Sequence, residues 1–118
     1  MVEKRDVERF LSSFKVKMQL FNIIYRDDRG KNLQALADLE ITPQMRTEII
    51  KSIGVVDFSE KLIDTLYNMG DMWVFGKNVK GREVYIKISY GIPNSSTICI
   101  SFHIAEKQML YPFKENQL

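Results

Sequence analysis

A tyrosine, a lysine and the chain's only histidine lie in adjacent runs of residues that the sequence predicts to be β-strands. Tyr85 and Lys87 belong to one run, and His103 closes the next. Side chains alternate between the two faces of a strand, so Tyr85 and Lys87 share a face. A phenol, an ammonium and an imidazole on one surface can bind a phosphodiester and transfer protons to and from its oxygens. We therefore treat these three residues as candidate catalytic groups.

Three β-type runs, predicted to form an antiparallel meander, carry these groups. They are Met72–Val79, residues 82–90 and residues 97–103. Lys80-Gly81 joins the first two and residues 91–96 join the last two. Such short connections are typical of antiparallel neighbours.

Two apolar rows set the faces of this meander. One row is Val84, Ile86 and Ile88, and the other is Ile98, Ile100 and Phe102. Both rows are expected to meet the same core, because a slip of one residue would turn one of them to water. The opposite, solvent-facing surface then gathers the polar side chains Glu83, Tyr85, Lys87, Ser101 and His103, and Cys99 falls on the same side.

These side chains suit cleavage of RNA through its own 2′-hydroxyl group. The reaction needs a group that accepts the 2′-hydroxyl proton, cations that offset charge on the non-bridging oxygens, and an acid that protonates the leaving 5′-oxygen. It needs no metal or cofactor, because the nucleophile belongs to the substrate. The residues are compatible with this reaction but do not require it.

Other chemistries lack their characteristic residues. The glycines of the meander, Gly76, Gly81 and Gly91, fall at strand or turn positions and not before helices, unlike those of a phosphate-binding loop. One cysteine and one histidine are too few for a structural zinc site. Cys99 and His103 would lie about 13 Å apart along a strand, too far for the imidazole to activate the thiol.

Helices are predicted before the meander. Apolar residues at helical spacing predict an amphipathic helix over residues 6–18, with Asp6 as its cap. Residues 20–25 indicate a strand or an extension of that helix, and residues 32–39 a second helix. Thr42-Pro43 opens a third helix that Gly54 ends. Its predicted buried stripe is Met45, Ile49, Ile50 and Ile53.

A charged loop at residues 26–31 contains Asp27 and Asp28 among three bases. A carboxylate pair can bind a metal or serve as acid and base. No second acidic cluster at metal-ligand spacing accompanies it in the sequence, so we expect the loop's members to pair locally. Its three bases, Arg26, Arg29 and Lys31, are candidate contacts to RNA phosphates.

Two bases of the meander, Arg82 and Lys77, are further candidate RNA contacts. A two-residue turn at Lys80-Gly81 would pair Lys77 with Val84 on the apolar side. Lys77 would therefore need a bulge or a longer turn to join Tyr85. The alternative is that all these bases form an ordinary solvated surface with no binding role.

The whole chain is predicted to be one α+β domain in a reducing cytoplasm. Its 118 residues suit a single core. No apolar run approaches the roughly 20 residues that span a bilayer, and residues 1–10 contain no apolar signal-peptide core. A single cysteine cannot form an internal disulfide. The net charge of +2 does not by itself indicate a polyanionic partner.

The second half of the chain resembles the MqsR-type toxins of bacterial type II toxin–antitoxin pairs. The likeness is carried by Trp73, by Gly81-x-x-Val84-Tyr85-Ile86-Lys87-Ile88 and by Ile98-x-Ile100-Ser101-Phe102. The upstream order of helix, strand, two helices and an Asp57-Phe58 segment is similar as well.

The resemblance implies a RelE-like fold, with the N-terminal helices packed on one face of a small antiparallel sheet. It implies the activity of a sequence-selective mRNA endoribonuclease, an mRNA interferase, that uses no cofactor. It also implies two partners, mRNA and a cognate antitoxin protein with a DNA-binding domain.

The resemblance further assigns site residues. The family's active-site tyrosine falls on Tyr85, a lysine after the Asp-Phe segment falls on or beside Lys61, and the lysine after the final Ser-Phe falls on His103. A change from lysine to histidine lowers the intrinsic pKa from about 10.4 to about 6.5 and supplies an acid/base group that titrates near neutrality. The family pattern has glutamine where this chain has Val74.

Two alternatives remain open from the sequence. One is a non-catalytic protein whose sheet face binds another protein or nucleic acid, and Val74 favours it. The other is an RNA-binding module without cleavage, although the predicted sheet lacks the exposed aromatic pairs on which such modules stack bases.

Overall fold

The centre of the fold is a five-stranded mixed sheet in the order β1-β5-β4-β3-β2. The computed structural model describes residues 1–28, 30–63 and 70–114. The elements in chain order are α1 (Lys4–Phe21), β1 (Ile23–Tyr25), α2 (Gly30–Leu39), α3 (Pro43–Lys51), a 3₁₀ turn (Val55–Asp57), β2 (Phe58–Leu62), β3 (Met72–Val79), β4 (Arg82–Ser89) and β5 (Thr97–Ile104). β1 runs parallel to β5, and the other neighbours are antiparallel. The predicted α+β class and the meander are confirmed, but the prediction of an antiparallel sheet is wrong for β1, whose parallel pairing makes the sheet mixed.

The three helices contribute to one hydrophobic core with the sheet. α1 buries the predicted stripe, since Val7, Leu11, Phe14 and Met18 are all buried. The helix begins earlier than predicted, so Asp6 is not its cap. Instead Glu3 is the N-cap, and the Asp6 carboxylate accepts a hydrogen bond of 2.8 Å from the Glu3 backbone N–H. α1 also continues to Phe21, which leaves only three residues for β1.

α3 starts as predicted and ends earlier. Thr42 Oγ1 accepts a hydrogen bond of 3.1 Å from the backbone N–H of Met45, and Pro43 is the first helical residue. The helix ends at Lys51 and not at Gly54. Of its predicted stripe, Ile50 is buried but Met45 is exposed.

α3 also buries a charged residue, Arg46. Its guanidinium bonds both carboxylate oxygens of Asp27, at 2.9 and 3.1 Å, and lies 3.5 Å from the ring centre of Tyr25. Asp28 pairs with Arg26 within the loop, as predicted. The two acids of the loop therefore serve separate ion pairs, one within the loop and one to α3.

A β-bulge divides β5 into two halves with opposite facing. Lys87 lies opposite Ser101, but the next pair is Ile88 opposite Cys99, so Ile100 is an extra residue. The prediction that Cys99 lies on the solvent-facing side is therefore wrong, since Cys99 is fully buried beside the core. Ile98 and Ile100 leave the core row for the same reason, because an inserted residue reverses the alternation beyond it.

The side chain of Asn32 on α2 holds this bulge. Its amide nitrogen donates to the carbonyl of Ile100 at 3.0 Å, and its amide oxygen accepts from the N–H of Phe102 at 3.0 Å. β1 pairs only with Thr97 to Cys99. α2 thus occupies the edge of β5 where β1 stops, and Asn32 satisfies the backbone groups that a longer strand would have bonded.

Residues 105–114 return across the solvent-facing side of the sheet. The Tyr111 hydroxyl donates to Glu83 at 2.7 Å. A Cβ on Gly76 would lie 2.0 Å from the Tyr111 hydroxyl oxygen, so this position needs glycine. Phe113 stacks on Phe58 of β2 with ring centres 5.6 Å apart. Tyr111 and Phe113 thus hold the tail against the sheet.

Candidate active site

A cleft of about 820 Å³ opens on the solvent-facing side of β4 and β5. The sheet forms its floor, the start of α2 forms one wall, and residues 106–110 form another. Of the predicted catalytic residues, Tyr85, Lys87 and His103 all line this cleft. Its other polar lining residues are Lys31, Asn32, Ser59, Glu60, Ser101, Glu106, Lys107 and Gln108.

Tyr85 and His103 form the centre of the floor. They are paired residues of β4 and β5, and their rings stack with centres 5.2 Å apart and planes 13° from parallel. His103 Nδ1 lies 3.0 Å from the carbonyl oxygen of Ile104. A carbonyl only accepts, so this hydrogen bond assigns a proton to Nδ1 and leaves Nε2 to gain or lose one.

The Tyr85 hydroxyl is a donor at neutral pH. Burial, and then the negative charge of Glu60, raise the pKa of Tyr85 above its ordinary value. Lys87 lies two residues further along β4, opposite Ser101. The floor therefore presents a neutral hydroxyl, an ammonium and an imidazole within one stretch of two strands.

Glu60 is a cleft residue that the sequence did not reveal. β2 contains its own bulge at Ser59, because Phe58 pairs with Phe75 while Glu60 pairs with Val74. Simple alternation from the buried Phe58 would have turned Ser59 and Lys61 toward the cleft. Ser59 does line the cleft, but the bulge turns Glu60 toward it in place of Lys61. A single sequence carries no distinct signal for such an insertion.

Lys61 does not join the predicted catalytic group. It pairs with Trp73, its ammonium lies 3.1 Å from Asp71 and 5.0 Å from the ring centre of Trp73, and it does not line the cleft. Trp73 belongs to the core, on the face that α1 covers. The bulge at Ser59 is again the reason that Lys61 lies on the core side of the sheet and not at the cleft.

Of the predicted RNA contacts, Lys77, Arg82 and Arg26 lie outside the cleft. Lys77 pairs with Val84 on the core side and lies 3.3 Å from Asp57. Arg82 is exposed at the start of β4, and Arg26 bonds Asp28 at 3.1 Å. Neither arginine lines the cleft. Arg29 lies outside the described residues.

The cations of the cleft wall are Lys31, a predicted phosphate contact, and Lys107 of the tail. Lys31 at the start of α2 forms an ion pair with Glu106 of the tail. Lys107 follows on the tail. The tail is anchored by Glu83, which accepts from the Tyr111 hydroxyl at 2.7 Å and from the Met109 N–H at 3.3 Å. Through these two hydrogen bonds Glu83 holds the tail, which forms this wall of the cleft.

Val74 gives the floor an apolar centre. It pairs with Glu60 on one side and Lys87 on the other, lines the cleft, and is fully buried. It offers no polar group at the position where the MqsR-type pattern has glutamine. Chemistry at this site therefore has to come from the surrounding residues.

The described residues contain neither a metal-binding group nor a membrane-spanning helix. No group of three or more histidine, cysteine, aspartate or glutamate side chains there is arranged to hold a metal ion. In the same part of the chain, no helix combines the length and the apolar character needed to cross a bilayer.

Comparison with known proteins gives no relative. No protein-family model matches the chain, and neither a curated protein nor a solved structure matches it.

Proposed function

We propose that this chain is an endoribonuclease that cleaves RNA through the substrate's 2′-hydroxyl without a metal. We further propose that it is the toxin of a type II toxin–antitoxin pair, an mRNA interferase of the MqsR type with a RelE-like fold, acting in the cytoplasm. The observation that carries the proposal is the convergence of Tyr85, Lys87 and His103 in one cleft. The toxin assignment rests in addition on the sequence resemblance.

Each of the three residues has a role that its surroundings support. Lys87 offsets negative charge on the scissile phosphate, as cations do in phosphoryl transfer. Tyr85 donates its hydroxyl proton to a non-bridging oxygen. Nε2 of His103 exchanges a proton with the reacting oxygens. The products are a 2′,3′-cyclic phosphate and a 5′-hydroxyl end.

The test is cleavage of a defined RNA by purified protein in the presence of EDTA, with mapping of both new ends. Discrete cuts that leave 5′-hydroxyl ends are expected. Tyr85→Phe and His103→Ala should each lower the rate at least tenfold, a conservative bound because loss of an acid/base or oxyanion group costs about 100-fold or more. Added imidazole should partly restore His103→Ala.

Tyr90→Phe is the matched control, because Tyr90 is an exposed tyrosine that does not line the cleft. Its rate should equal that of the unmodified protein. Thermal unfolding of each variant separates loss of chemistry from loss of fold. Unchanged cleavage in both Tyr85→Phe and His103→Ala would contradict the assignment.

The antitoxin partner is tested in cells. Expression of the chain should stop growth, and co-expression of the neighbouring gene should relieve this effect. Tyr85→Phe should be much less toxic at equal protein level. Equal toxicity of the variant would separate toxicity from cleavage and contradict the toxin mechanism.

A binding protein without catalysis is the second candidate, and the buried Val74 favours it because the floor lacks a polar group there. Such a protein would bind labelled single-stranded RNA or a partner protein through the same cleft. Folded protein that binds RNA but produces no cuts would select this candidate.

A further inference from the structure

The cleft contains one acid that the roles above leave unused. Glu60 is exposed on β2, lines the cleft, and makes no hydrogen bond or ion pair within the described residues. The two other carboxylates near the cleft are engaged, since Glu106 is paired with Lys31 and Glu83 holds the tail. Among the described residues, Glu60 is therefore the cleft carboxylate that is available to accept a proton.

The strand register places Glu60 and His103 on opposite sides of the reacting surface. Glu60 lies beside Val74, Val74 beside Lys87, and Lys87 beside Ser101. His103 lies two residues beyond Ser101 on β5. The two backbones are three strand spacings apart, about 14 Å. An RNA strand lying over β4 would thus have a carboxylate on one side and an imidazole on the other.

This separation suits the geometry of the reaction. In an in-line displacement at phosphorus the attacking 2′-oxygen and the leaving 5′-oxygen occupy opposite positions. A proton acceptor and a proton donor are therefore needed on opposite sides of the phosphate, each within hydrogen-bond reach of its oxygen. Tyr85 and Lys87 lie between them on β4, where the non-bridging oxygens would be held.

The raised pKa of Tyr85 also indicates that the Glu60 carboxylate lies near the centre of the site. After burial, the charge of Glu60 is the cause that raises the pKa of Tyr85. Its carboxylate is thus close enough to influence the centre of the floor. A hydroxyl kept neutral in this way is a poor base, which leaves the role of base to another group.

We propose that Glu60 is the general base of this site, a deepening that rests on the proposed ribonuclease function. The Glu60 carboxylate takes the proton of the 2′-hydroxyl as the 2′-oxygen bonds to phosphorus. The bond from phosphorus to the 5′-oxygen breaks, and that oxygen takes the proton from Nε2 of His103. The products are the 2′,3′-cyclic phosphate and the 5′-hydroxyl, with Glu60 protonated and His103 neutral.

The experiment measures kcat and KM for a short RNA across pH 4 to 9 with Glu60→Gln. Glutamine keeps the shape of the side chain but cannot accept the proton. The expected result is a loss of kcat of about 100-fold, the lower range for a general base, with KM changed much less. The fall of kcat at acid pH, where a carboxylate base is protonated, should disappear in Glu60→Gln and persist in Glu60→Asp.

Glu48→Gln is the matched control. It removes the same charge from an exposed carboxylate on α3 that is paired with Lys51 and does not line the cleft. Its kcat should stay within about threefold and its acid limb should remain. This control separates the loss of the Glu60 base from the loss of one negative charge elsewhere on the molecule.

Three outcomes overturn the proposal in distinguishable ways. If the unmodified protein cleaves RNA and Glu60→Gln retains its kcat, Glu60 is not the base and the ribonuclease function stands. If Glu60→Gln changes only KM and keeps the acid limb, Glu60 contributes to binding alone. If the unmodified folded protein cuts no RNA, the proposed function and this inference fail together.

Discussion

The hydroxyl of Tyr85 and the imidazole of His103 differ in the proton chemistry that their surroundings allow. Burial and the nearby Glu60 raise the pKa of Tyr85, so the phenol stays protonated at neutral pH and acts as a donor. His103 uses Nδ1 on the Ile104 carbonyl and keeps Nε2 for exchange. The two rings stack, so a hydroxyl donor and a ring nitrogen that exchanges protons lie side by side on the floor of the cleft.

This division predicts the pH profile of Tyr85→Phe. A neutral donor lowers the barrier at every pH and contributes no titration near neutrality. The variant's kcat should therefore fall at least tenfold while the midpoints of its pH–rate curve stay where they are in the unmodified protein. A shift or loss of the alkaline limb in Tyr85→Phe would show that tyrosine, and not histidine, is the titrating group.

Because the thiol of Cys99 is buried, we expect the free energy of unfolding to fall at alkaline pH. Burial raises the pKa of its thiol from 9.0 to about 12. The group's pKa is higher in the folded state, so its contribution to stability is complete below pH 9 and is lost as pH rises toward 12. At pH 10.5 the loss from this group is about 2 kcal/mol.

Urea unfolding of the unmodified protein and of Cys99→Ala, at pH 8 and pH 10.5, measures this loss. Other groups titrate in both proteins, so the comparison depends on the difference between them. The free energy of unfolding should fall less with pH in Cys99→Ala. Equal falls in the two proteins would mean that the Cys99 thiolate is tolerated in the folded state.

Two bulges in β2 and β5 determine which side chains share the cleft. The insertion at Ser59 places Glu60 rather than Lys61 at the cleft, and the insertion at Ile100 turns Cys99 into the core and Ile98 out of it. A period-2 pattern is correct on either side of a bulge but changes phase across it. His103 keeps its predicted face because it lies beyond the bulge, in the half of β5 that pairs in phase with Tyr85.

Asn32 is the residue that stabilises the second bulge, and its removal predicts a large loss of stability. It is 2% exposed and bonds the backbone of Arg26, Ile100 and Phe102. Asn32→Ala leaves buried backbone groups unpaired, at about 1–3 kcal/mol each. The free energy of unfolding should fall by about 2–4 kcal/mol, measured by urea denaturation.

Gln34→Ala is the control on the same helix, because Gln34 is exposed and, among the described residues, bonds Asp38 alone. Its effect should stay within about 0.5 kcal/mol. A loss in Asn32→Ala no larger than in Gln34→Ala would show that the bulge does not depend on the amide.

The cleft as a whole exists because distant parts of the chain meet over one sheet face. α2 provides Lys31 and Asn32, β2 provides Glu60, and the tail closes the remaining side. Burial, and then the Glu83 carboxylate, raise the pKa of Tyr111, so its hydroxyl remains a donor to Glu83. The tail is positioned by this bond and by the space above Gly76.

Gly76→Ala should displace the tail and open the cleft. The added Cβ would lie 2.0 Å from the Tyr111 hydroxyl oxygen, so the ring must move away from Glu83. A stability loss of about 1–3 kcal/mol is expected from the overpacking, together with faster hydrogen exchange at residues 105–113. Gly30→Ala is the control, since nothing lies within 4 Å of a Cβ there. Unchanged exchange in Gly76→Ala would mean that the tail is not held over this glycine.

Local pattern was sufficient for the elements and for the centre of the site. Helical spacing identified the buried stripe of α1, Thr42-Pro43 fixed the start of α3, and short turns identified the meander. Tyr85, Lys87 and His103 could be placed on one face because strand alternation is a local rule, and because no bulge separates His103 from its pairing with Tyr85.

What the sequence by itself determined, then, is the α+β composition, the antiparallel meander and the shared face of three chemical groups. The tertiary structure decided that Glu60 and not Lys61 faces the cleft, that Cys99 is buried, and that Arg46 is buried in a pair with Asp27. It also decided that the tail and α2 form the walls. The physical reason is the separation along the chain of the groups that interact. Strand alternation and helix capping depend on residues a few positions apart, whereas the bulges, the Arg46–Asp27 ion pair and the walls of the cleft depend on groups far apart in the chain.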